Sequence, residues 1–282
     1  MTHIDYVTSN YGVRVPRILY GTAWKKERTA QLVEQALALG FRGVDTACQP
    51  KHYHEAGVGE ALQASFARGG LSRDQIYLQT KFTPVDGHSP QRIPYDPKAP
   101  LAEQVLQSFQ VSLKNLQTDY LDGLILHSPL PDRQQLLEVW HAMEGIFLEG
   151  NAKDLGISNC YDLGLFKFLY AEAAVKPAII QNRFYRDTGF DAGIREFCRQ
   201  QGIIYQSFWT LTANPRILAS ATIEDLAAEY RRSPAQIFFR YLTQIGIVPL
   251  TGTTSAQHMT EDLAIFEFEL TEEECLGITH LL

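Results

Sequence analysis

Five short apolar runs in this 282-residue chain close on polar side chains that could carry chemistry: Asp45, Lys81, His127, Ser158 with Asn159, and Gln181. A carboxylate, an ammonium and an imidazole brought to one place can shuttle a proton and shift one another's charge state. Singly, each has a structural role instead. An Asp at a strand end caps helices, a Lys pairs with it, and a His before Ser-Pro caps a turn. The run His52-Tyr53-His54 adds a second chemistry, since His-x-His pairs ligate metals, although ligation needs further His or carboxylate groups converging on the same point.

The choice between these depends on the elements that hold the residues. Short β-branched runs alternate with amphipathic stretches, and the pattern predicts eight strands, over 18–22, 43–45, 76–81, 121–127, 153–158, 178–181, 203–208 and 247–250. Between them, Leu32, Val33, Ala36 and Leu37, or Leu106, Phe109, Leu113 and Leu116, make one apolar stripe at helical spacing. Ser233-Pro234 reads as a cap and first helical residue, and Thr271 with Glu274 has capping-box spacing. Eight β-then-α units without a break in composition point to a (β/α)₈ TIM barrel over residues 1–282 as one domain, an open doubly wound sheet being the alternative. Residues 4–16 read as a β-hairpin that closes the barrel bottom. Two segments carry no helical period, 83–100 with five prolines and 209–220, and both follow strands on the side where barrel enzymes build their sites.

Composition excludes several classes. A net charge of −7 does not suit a phosphate-backbone binder, so no nucleic-acid partner is expected. The start has no basic head followed by an apolar stretch, and no apolar run approaches the ~18 residues of a membrane span, so a cytoplasmic protein without membrane contact is expected. The four cysteines, Cys48, Cys160, Cys198 and Cys275, are scattered without a C-x-x-C pair and read as free thiols. No heptad or exposed apolar stripe is apparent, which suits a monomer or weak homo-oligomer.

The stretch GVDTACQPKHYHEAGVGEAL is similar to the signature of the aldo-keto reductases, in which an Asp-Thr-Ala at a strand end precedes a Tyr and a Val-Gly-Glu-Ala helix. QTKF at 79–82, DYLDGLILHSP at 119–129, GISN at 156–159 and QNRFY at 181–185 resemble family segments in the family's order, from the first strand almost to the last. The resemblance implies a catalytic tetrad of Asp45, Tyr53, Lys81 and His127. Lys81 would then favour the phenolate of Tyr53, lowering its pKa from about 10, Asp45 would hold Lys81, and a neutral His127 would place the carbonyl oxygen. In the family the Tyr lies nearer its Asp. Here Tyr53 stands eight residues beyond Asp45, and His52 is the residue at the usual distance from Val-Gly. Tyr53 is preferred because imidazole would change the chemistry.

The resemblance also implies a nicotinamide cofactor, NADPH by family default with NADH use open. No G-x-G-x-x-G follows the first strand, and the family binds its nucleotide without one. The implied cleft comprises Gly21, Thr22 and Asp45; Ser158, Asn159 and Gln181 at the carboxamide; Phe208 against the ring; Thr210 and Leu211 at the pyrophosphate; and Thr251, Gly252, Thr253, Thr254 and Asp262 at the adenosine end. The segment PLTGTTSAQHMTEDL contains neither Lys nor Arg to meet a 2′-phosphate. With only a short helix after Thr271, loop 83–100 must supply more of the lid. Trp24, Tyr53, Phe82, His127 and Trp209 are the expected walls of the substrate pocket, with Tyr95, His52 and His54 as further candidates. The function expected is reduction of a small-molecule aldehyde, ketone or related carbonyl. A cofactor-binding regulatory barrel with little turnover and a metal-dependent hydrolase are the alternatives.

Overall fold

Inward and outward residues alternate along every strand of this chain, and that parity decides which side chains meet. The computed structural model describes residues 5–282. Eight parallel strands, β3 (Leu19–Gly21), β4 (Gly43–Asp45), β5 (Tyr77–Phe82), β6 (Leu121–Leu126), β7 (Ala152–Ser158), β8 (Ile179–Arg183), β9 (Ile204–Phe208) and β10 (Ile247–Thr251), close into a barrel in chain order, β10 pairing with β3. The fold is a (β/α)₈ barrel. Before it, β1 (Tyr6–Thr8) and β2 (Arg14–Pro16) form the expected antiparallel hairpin, although residue 4, where that expectation began, lies outside the described residues.

The helices are α1 (Thr29–Leu39), α2 (Glu55–Ala67), α3 (Leu101–Leu116), α4 (Arg133–Leu148), α5 (Leu163–Glu172), α6 (Ala192–Gln201), α7 (Pro215–Leu218), α8 (Ala221–Tyr230), α9 (Pro234–Gln244), α10 (Ala256–Leu263) and α11 (Glu272–Thr279). Their starts are locally encoded. Ser233 and Thr271 form complete capping boxes with Gln236 and Glu274, and Asp132, Asp162, Ser220 and Ser255 cap α4, α5, α8 and α10. Among the described residues no helix is long and apolar enough to cross a membrane.

Outward-facing residues such as Leu78, Leu124 and Ile157 join the large core between sheet and helices, while Leu19, Tyr77, Ile125, Ile179, Val248 and Leu250 fill the barrel interior with Val15 of the hairpin. Tyr77 is a bulky interior residue and needs a gap opposite it. Gly123 provides one, because a Cβ there would stand 2.7 Å from the Tyr77 hydroxyl.

Strand bounds differ from the expected ones by a residue or two. β3 stops at Gly21, with Thr22 just beyond, and β8 runs on through Arg183 because its ladder with β9 continues to an Arg183–Phe208 pair. β6 ends one residue short of His127, yet the His127 N–H donates to the Phe82 carbonyl at 2.8 Å and continues the pairing. The segment 209–220, expected as loop, contains α7, where Pro215 occupies the first helical turn.

Under the hairpin, the Ser9 hydroxyl donates to Asp154 Oδ1 at 2.8 Å, and Asp154 Oδ2 is buried with no partner among the described residues. Burial is the main force pushing the Asp154 carboxyl up from 3.8 to about 8. A folded-state value above the unfolded one means that the folded protein holds this proton more tightly. The stability it contributes is full below about pH 4 and is lost as pH rises through about 8, by up to ~1.4 kcal/mol per pH unit for one proton. Asp154→Asn should remove that slope and leave the protein more stable than the parent in alkaline buffer, as read by urea unfolding at about pH 5 and about pH 9. Equal slopes in the two proteins would refute the assignment.

Candidate active site

The exit end of the barrel holds a sealed ion pair. Lys81 on β5 and Asp45 on β4 are 1% and 2% exposed, and Lys81 Nζ donates to Asp45 Oδ1 and Oδ2, both at 2.7 Å, and to the Thr46 carbonyl at 2.8 Å. The three hydrogens of the ammonium therefore have three acceptors. Burial lowers the Lys81 pKa, and the Asp45 charge opposes that shift.

Three glutamines complete the shell. Asp45 Oδ1 also accepts from Gln79 Nε2 at 2.6 Å and from Gln181 Nε2 at 2.9 Å. Gln206 on β9 accepts from both amides, at 2.8 and 2.9 Å, and returns a bond to Gln79 Oε1 at 2.9 Å. Tyr77 donates to the same Gln79 oxygen at 2.9 Å, so a polar column runs up the barrel and ends on the carboxylate. Gln79 and Gln206 were not anticipated. Their signal was available, as polar residues in the middle of the apolar runs of β5 and β9.

Tyr53 stands in the short segment before α2. The structure brings it, and not His52, against the buried pair: Lys81 Nζ lies 5.1 Å from the Tyr53 ring centroid, and the Tyr53 and His127 rings are 5.9 Å apart at 70°. His52 turns the other way and packs on Trp24, with ring centroids 3.9 Å apart. The expected lowering of the Tyr53 pKa is corrected. Burial, reinforced by the Asp45 charge, raises it, because Lys81 spends its hydrogens on Asp45 and Thr46 and lies over the ring rather than on the hydroxyl. Among the described residues no group bonds the Tyr53 hydroxyl.

His127 is held neutral, its pKa pushed well down first by burial and then by the nearby Lys81 charge. Its Nδ1 is 2.7 Å from the Thr83 hydroxyl, a residue also missed in the sequence. Thr83 anchors loop 83–100 as well, because its carbonyl accepts from Tyr95 at 2.7 Å and bonds His88 at 3.0 Å. Gln49 Nε2 bonds the Gly87 carbonyl at 2.7 Å, tying that loop to the segment that carries Tyr53. Phe82 is not at the pocket wall. It follows Lys81 and so points outward, 2% exposed, packed on Tyr95 in the outer core.

The residues expected at the cofactor carboxamide come together on neighbouring strands. Ser158 Oγ donates to the Gln181 carbonyl at 2.7 Å, and Asn159 Nδ2 donates to the His127 carbonyl at 2.8 Å. Asn159 adopts a left-handed φ of 54°, which turns it off the end of β7. Trp24 and Trp209 are both half exposed or more and have positive φ, so both rings stand at the mouth. Phe208 ends β9 half-buried, and Leu211 is likewise half-buried. Thr22 and Thr210 are internal: the Thr22 hydroxyl bonds the Asp45 carbonyl at 3.0 Å and that of Thr210 bonds Ser207 Oγ at 3.0 Å.

At the other side, Thr251 Oγ1 donates to Asp262 Oδ2 at 2.6 Å, and burial pushes Asp262 up to about 6. Thr253 receives Tyr20 on its carbonyl at 2.9 Å, Gly252 and Thr254 are exposed, and the N-terminus of α10 follows. A cation from another loop lies beside this segment. Lys25, 8% exposed and just beyond Trp24, hydrogen-bonds the Gly252 carbonyl, with Gly21 on the adjoining strand end. Burial lowers the Lys25 pKa. His52 and His54 do not converge with other ligands, and among the described residues no three His, Cys, Asp or Glu side chains gather to hold a metal.

A (β/α)₈ barrel with a Tyr, a His and a buried Asp–Lys pair at its strand exits defines a class of barrel oxidoreductases, and comparison with known proteins agrees. The model of the Aldo/keto reductase family matches residues 17–282. The chain is 30% identical over 276 residues to the uncharacterized oxidoreductase YtbE of Bacillus subtilis (strain 168), covering 97% of this chain and 91% of that protein. It is 29% identical to the NADPH-dependent alpha-keto amide reductase of Saccharomyces cerevisiae (strain ATCC 204508 / S288c), covering 99% and 91%. A crystal structure of an aldo/keto reductase from Brucella melitensis superposes with a TM-score of 0.84 at 28% identity, covering 99% of this chain and 100% of that one. The chain belongs to the aldo/keto reductase family and is an oxidoreductase that reduces carbonyl groups.

Asp45→Asn would leave the Lys81 charge sealed without a counter-ion and should cost about 3–5 kcal/mol of stability in urea unfolding. Adding Lys81→Met should recover most of that loss. A double variant no more stable than Asp45→Asn alone would argue against the pair as the governing interaction.

Proposed function

We propose that the protein reduces an aldehyde, ketone or related carbonyl to the alcohol with NADPH as hydride donor and Tyr53 as proton donor. The observation that carries this reading is the position of Tyr53: edge-on to His127, over Lys81, with its hydroxyl unclaimed by protein at the barrel mouth. The line of residues from Asn159 past Phe208 to Thr254 suits a dinucleotide, since it ends in hydroxyls, a helix N-terminus and the Lys25 ammonium, donors that phosphate oxygens need. Bound there, NADPH supplies hydride to the carbonyl carbon. The likeness to the NADPH-dependent reductase of yeast supports NADPH as the donor for this chain.

The protein's own part is proton supply and positioning. A Thr83 hydroxyl that donates to His127 Nδ1 would leave the N–H of the neutral imidazole at Nε2, where it can donate to the substrate oxygen. Tyr53 stays protonated at neutral pH because its pKa is raised, and it gives that proton to the alkoxide as the alkoxide forms. An alkoxide is more basic than a phenolate, so the transfer runs downhill without a preformed phenolate. Lys81, already partnered by Asp45 and Thr46, then offsets only part of the burial cost of the phenolate left behind. Asp45 keeps the ammonium in that place, and the glutamine shell keeps Asp45.

Tyr53→Phe should lower kcat by about 10²- to 10⁴-fold in a panel of aldehydes and ketones followed by NADPH absorbance, with NADPH affinity retained. His52→Phe should have a far smaller effect. Unchanged turnover in Tyr53→Phe would eliminate the proposed acid, and NADPH binding without turnover of any carbonyl would favour a cofactor-responsive barrel. Lys25→Met should weaken NADPH binding about tenfold, with a smaller loss for NADH if the 2′-phosphate is its contact.

A further inference from the structure

Arg183 takes no part in the chemistry above, and its surroundings are those of a binding group rather than a structural one. It ends β8, two residues beyond Gln181, and so shares the inward face one layer, about 7 Å, nearer the mouth. Asn182 between them faces outward and is consumed by Asp191 and the Cys160 backbone. The Arg183 guanidinium carbon lies 4.2 Å from the centroid of Trp209 and 5.1 Å from that of Tyr185, so two aromatic rings fix the cation. Among the described residues it forms no salt bridge and no side-chain hydrogen bond. Nε is buried without a partner, whereas the two terminal nitrogens are not sealed and reach solvent.

In a chain with a net charge of −7, the two buried cations at the strand-exit end are engaged, Lys81 by Asp45 and Lys25 by Gly252, and the Arg183 side chain is not. A guanidinium held between aromatic rings without a counter-ion presents a planar fork, and the group that matches it is a carboxylate. The position also connects to the reacting centre. The Arg183 N–H donates to the Tyr161 hydroxyl at 3.1 Å, Tyr161 reaches Asn159 Oδ1 at 3.4 Å, and Asn159 bonds the His127 carbonyl. Lys25 and the threonines of 251–254 lie at the β3–β10 side, whereas the Arg183 guanidinium, over Trp209 just beyond β9, lies toward the β8–β9 side.

Resting on the carbonyl-reductase reading, we propose that Arg183 is an oxyanion-binding residue at the pocket mouth that selects carbonyl substrates carrying a carboxylate. The aromatic clamp pre-organises the fork, and the negative substrate supplies the missing partner of the two terminal nitrogens. The reaction that feeds such a substrate to this protein must leave an acid group in place beside an aldehyde or ketone.

The test compares para-carboxybenzaldehyde with its methyl ester, which differ in charge at the same reach. The parent should show the higher kcat/KM for the acid. In Arg183→Gln the acid-to-ester ratio should fall about tenfold or more, and Arg183→Lys, which keeps charge but not the fork, should lie between. A parent that prefers the ester overturns the proposal without any variant, as does a ratio within about twofold of the parent's in both variants. Loss of NADPH affinity with an unchanged ratio would assign Arg183 to the nucleotide phosphates and would equally overturn it. Benzoate binding, read by Trp fluorescence, separates this proposal from the reductase reading. Charge-dependent benzoate binding lost in Arg183→Gln, with no carbonyl turned over by the parent, would sink the reductase reading and keep the anion site. Turnover with benzoate binding equal in parent and variant would do the reverse.

Discussion

An ammonium and a carboxylate taken out of water each lose several kcal/mol of hydration, and the loss is recovered only when every hydrogen and lone pair has a partner in good geometry. Lys81 and Asp45 meet that demand inside the barrel, and much of the surrounding structure can be understood as its consequence. The Thr46 carbonyl takes the third lysine hydrogen, two glutamines cap the carboxylate oxygen, and a third glutamine satisfies those two. An interior of aliphatic side chains alone could not host the pair. Polar residues therefore occupy the inner positions of β5, β8 and β9 at the level of Asp45, and apolar packing resumes only below them with Tyr77 and Ile179.

What the strands fix rigidly, the loops complete. Lys81, Asp45 and His127 are placed by register, whereas Tyr53 reaches them from a segment held by Gln49 and by loop 83–100. Thr83 joins the two systems: its hydroxyl meets the His127 ring while its carbonyl gathers Tyr95 and His88. The rest of the mouth is aromatic, with Trp24 and Trp209 half exposed from positive-φ backbone positions. Precision sits below, and adaptable contact surface sits above it.

Asp45, Lys81, His127, Ser158 and Gln181 were legible in the sequence because each is the polar end of an apolar run, and the eight-strand barrel followed from the repetition of such runs. Gln79 and Gln206 were equally visible and were overlooked because attention to strand ends ignores strand middles. Phe82 was misplaced by parity: adjacent to an inward lysine, it has to face out. The contest between Tyr53 and His52 could not be decided by spacing, since a lengthened loop shifts which residue turns inward, and here the pairing of His52 with Trp24 decides it. The direction of the Tyr53 shift is not legible in the sequence, because it depends on the acceptors, Asp45 and Thr46, that already hold the Lys81 hydrogens in the fold. Lys25 was out of reach altogether, its partner lying 227 residues away in the chain.

The ring is completed by β10, whose Leu250 and Thr251 lie against Leu19 and Tyr20 of β3. During synthesis these two strands emerge at widely separated times, so the barrel waits as an open, curved sheet with β3 and β9 as raw margins. Such margins invite pairing with another chain until the last strand arrives. Contacts between residues this distant are slow to form, because a long loop must close before any of them is rewarded. The Lys25 contact at Gly252 crosses that same seam, so it too forms only with closure, and a nascent chain that has not yet closed holds Asp45 and Lys81 but not the contact that ties the loop after the first barrel strand to the loop after the last.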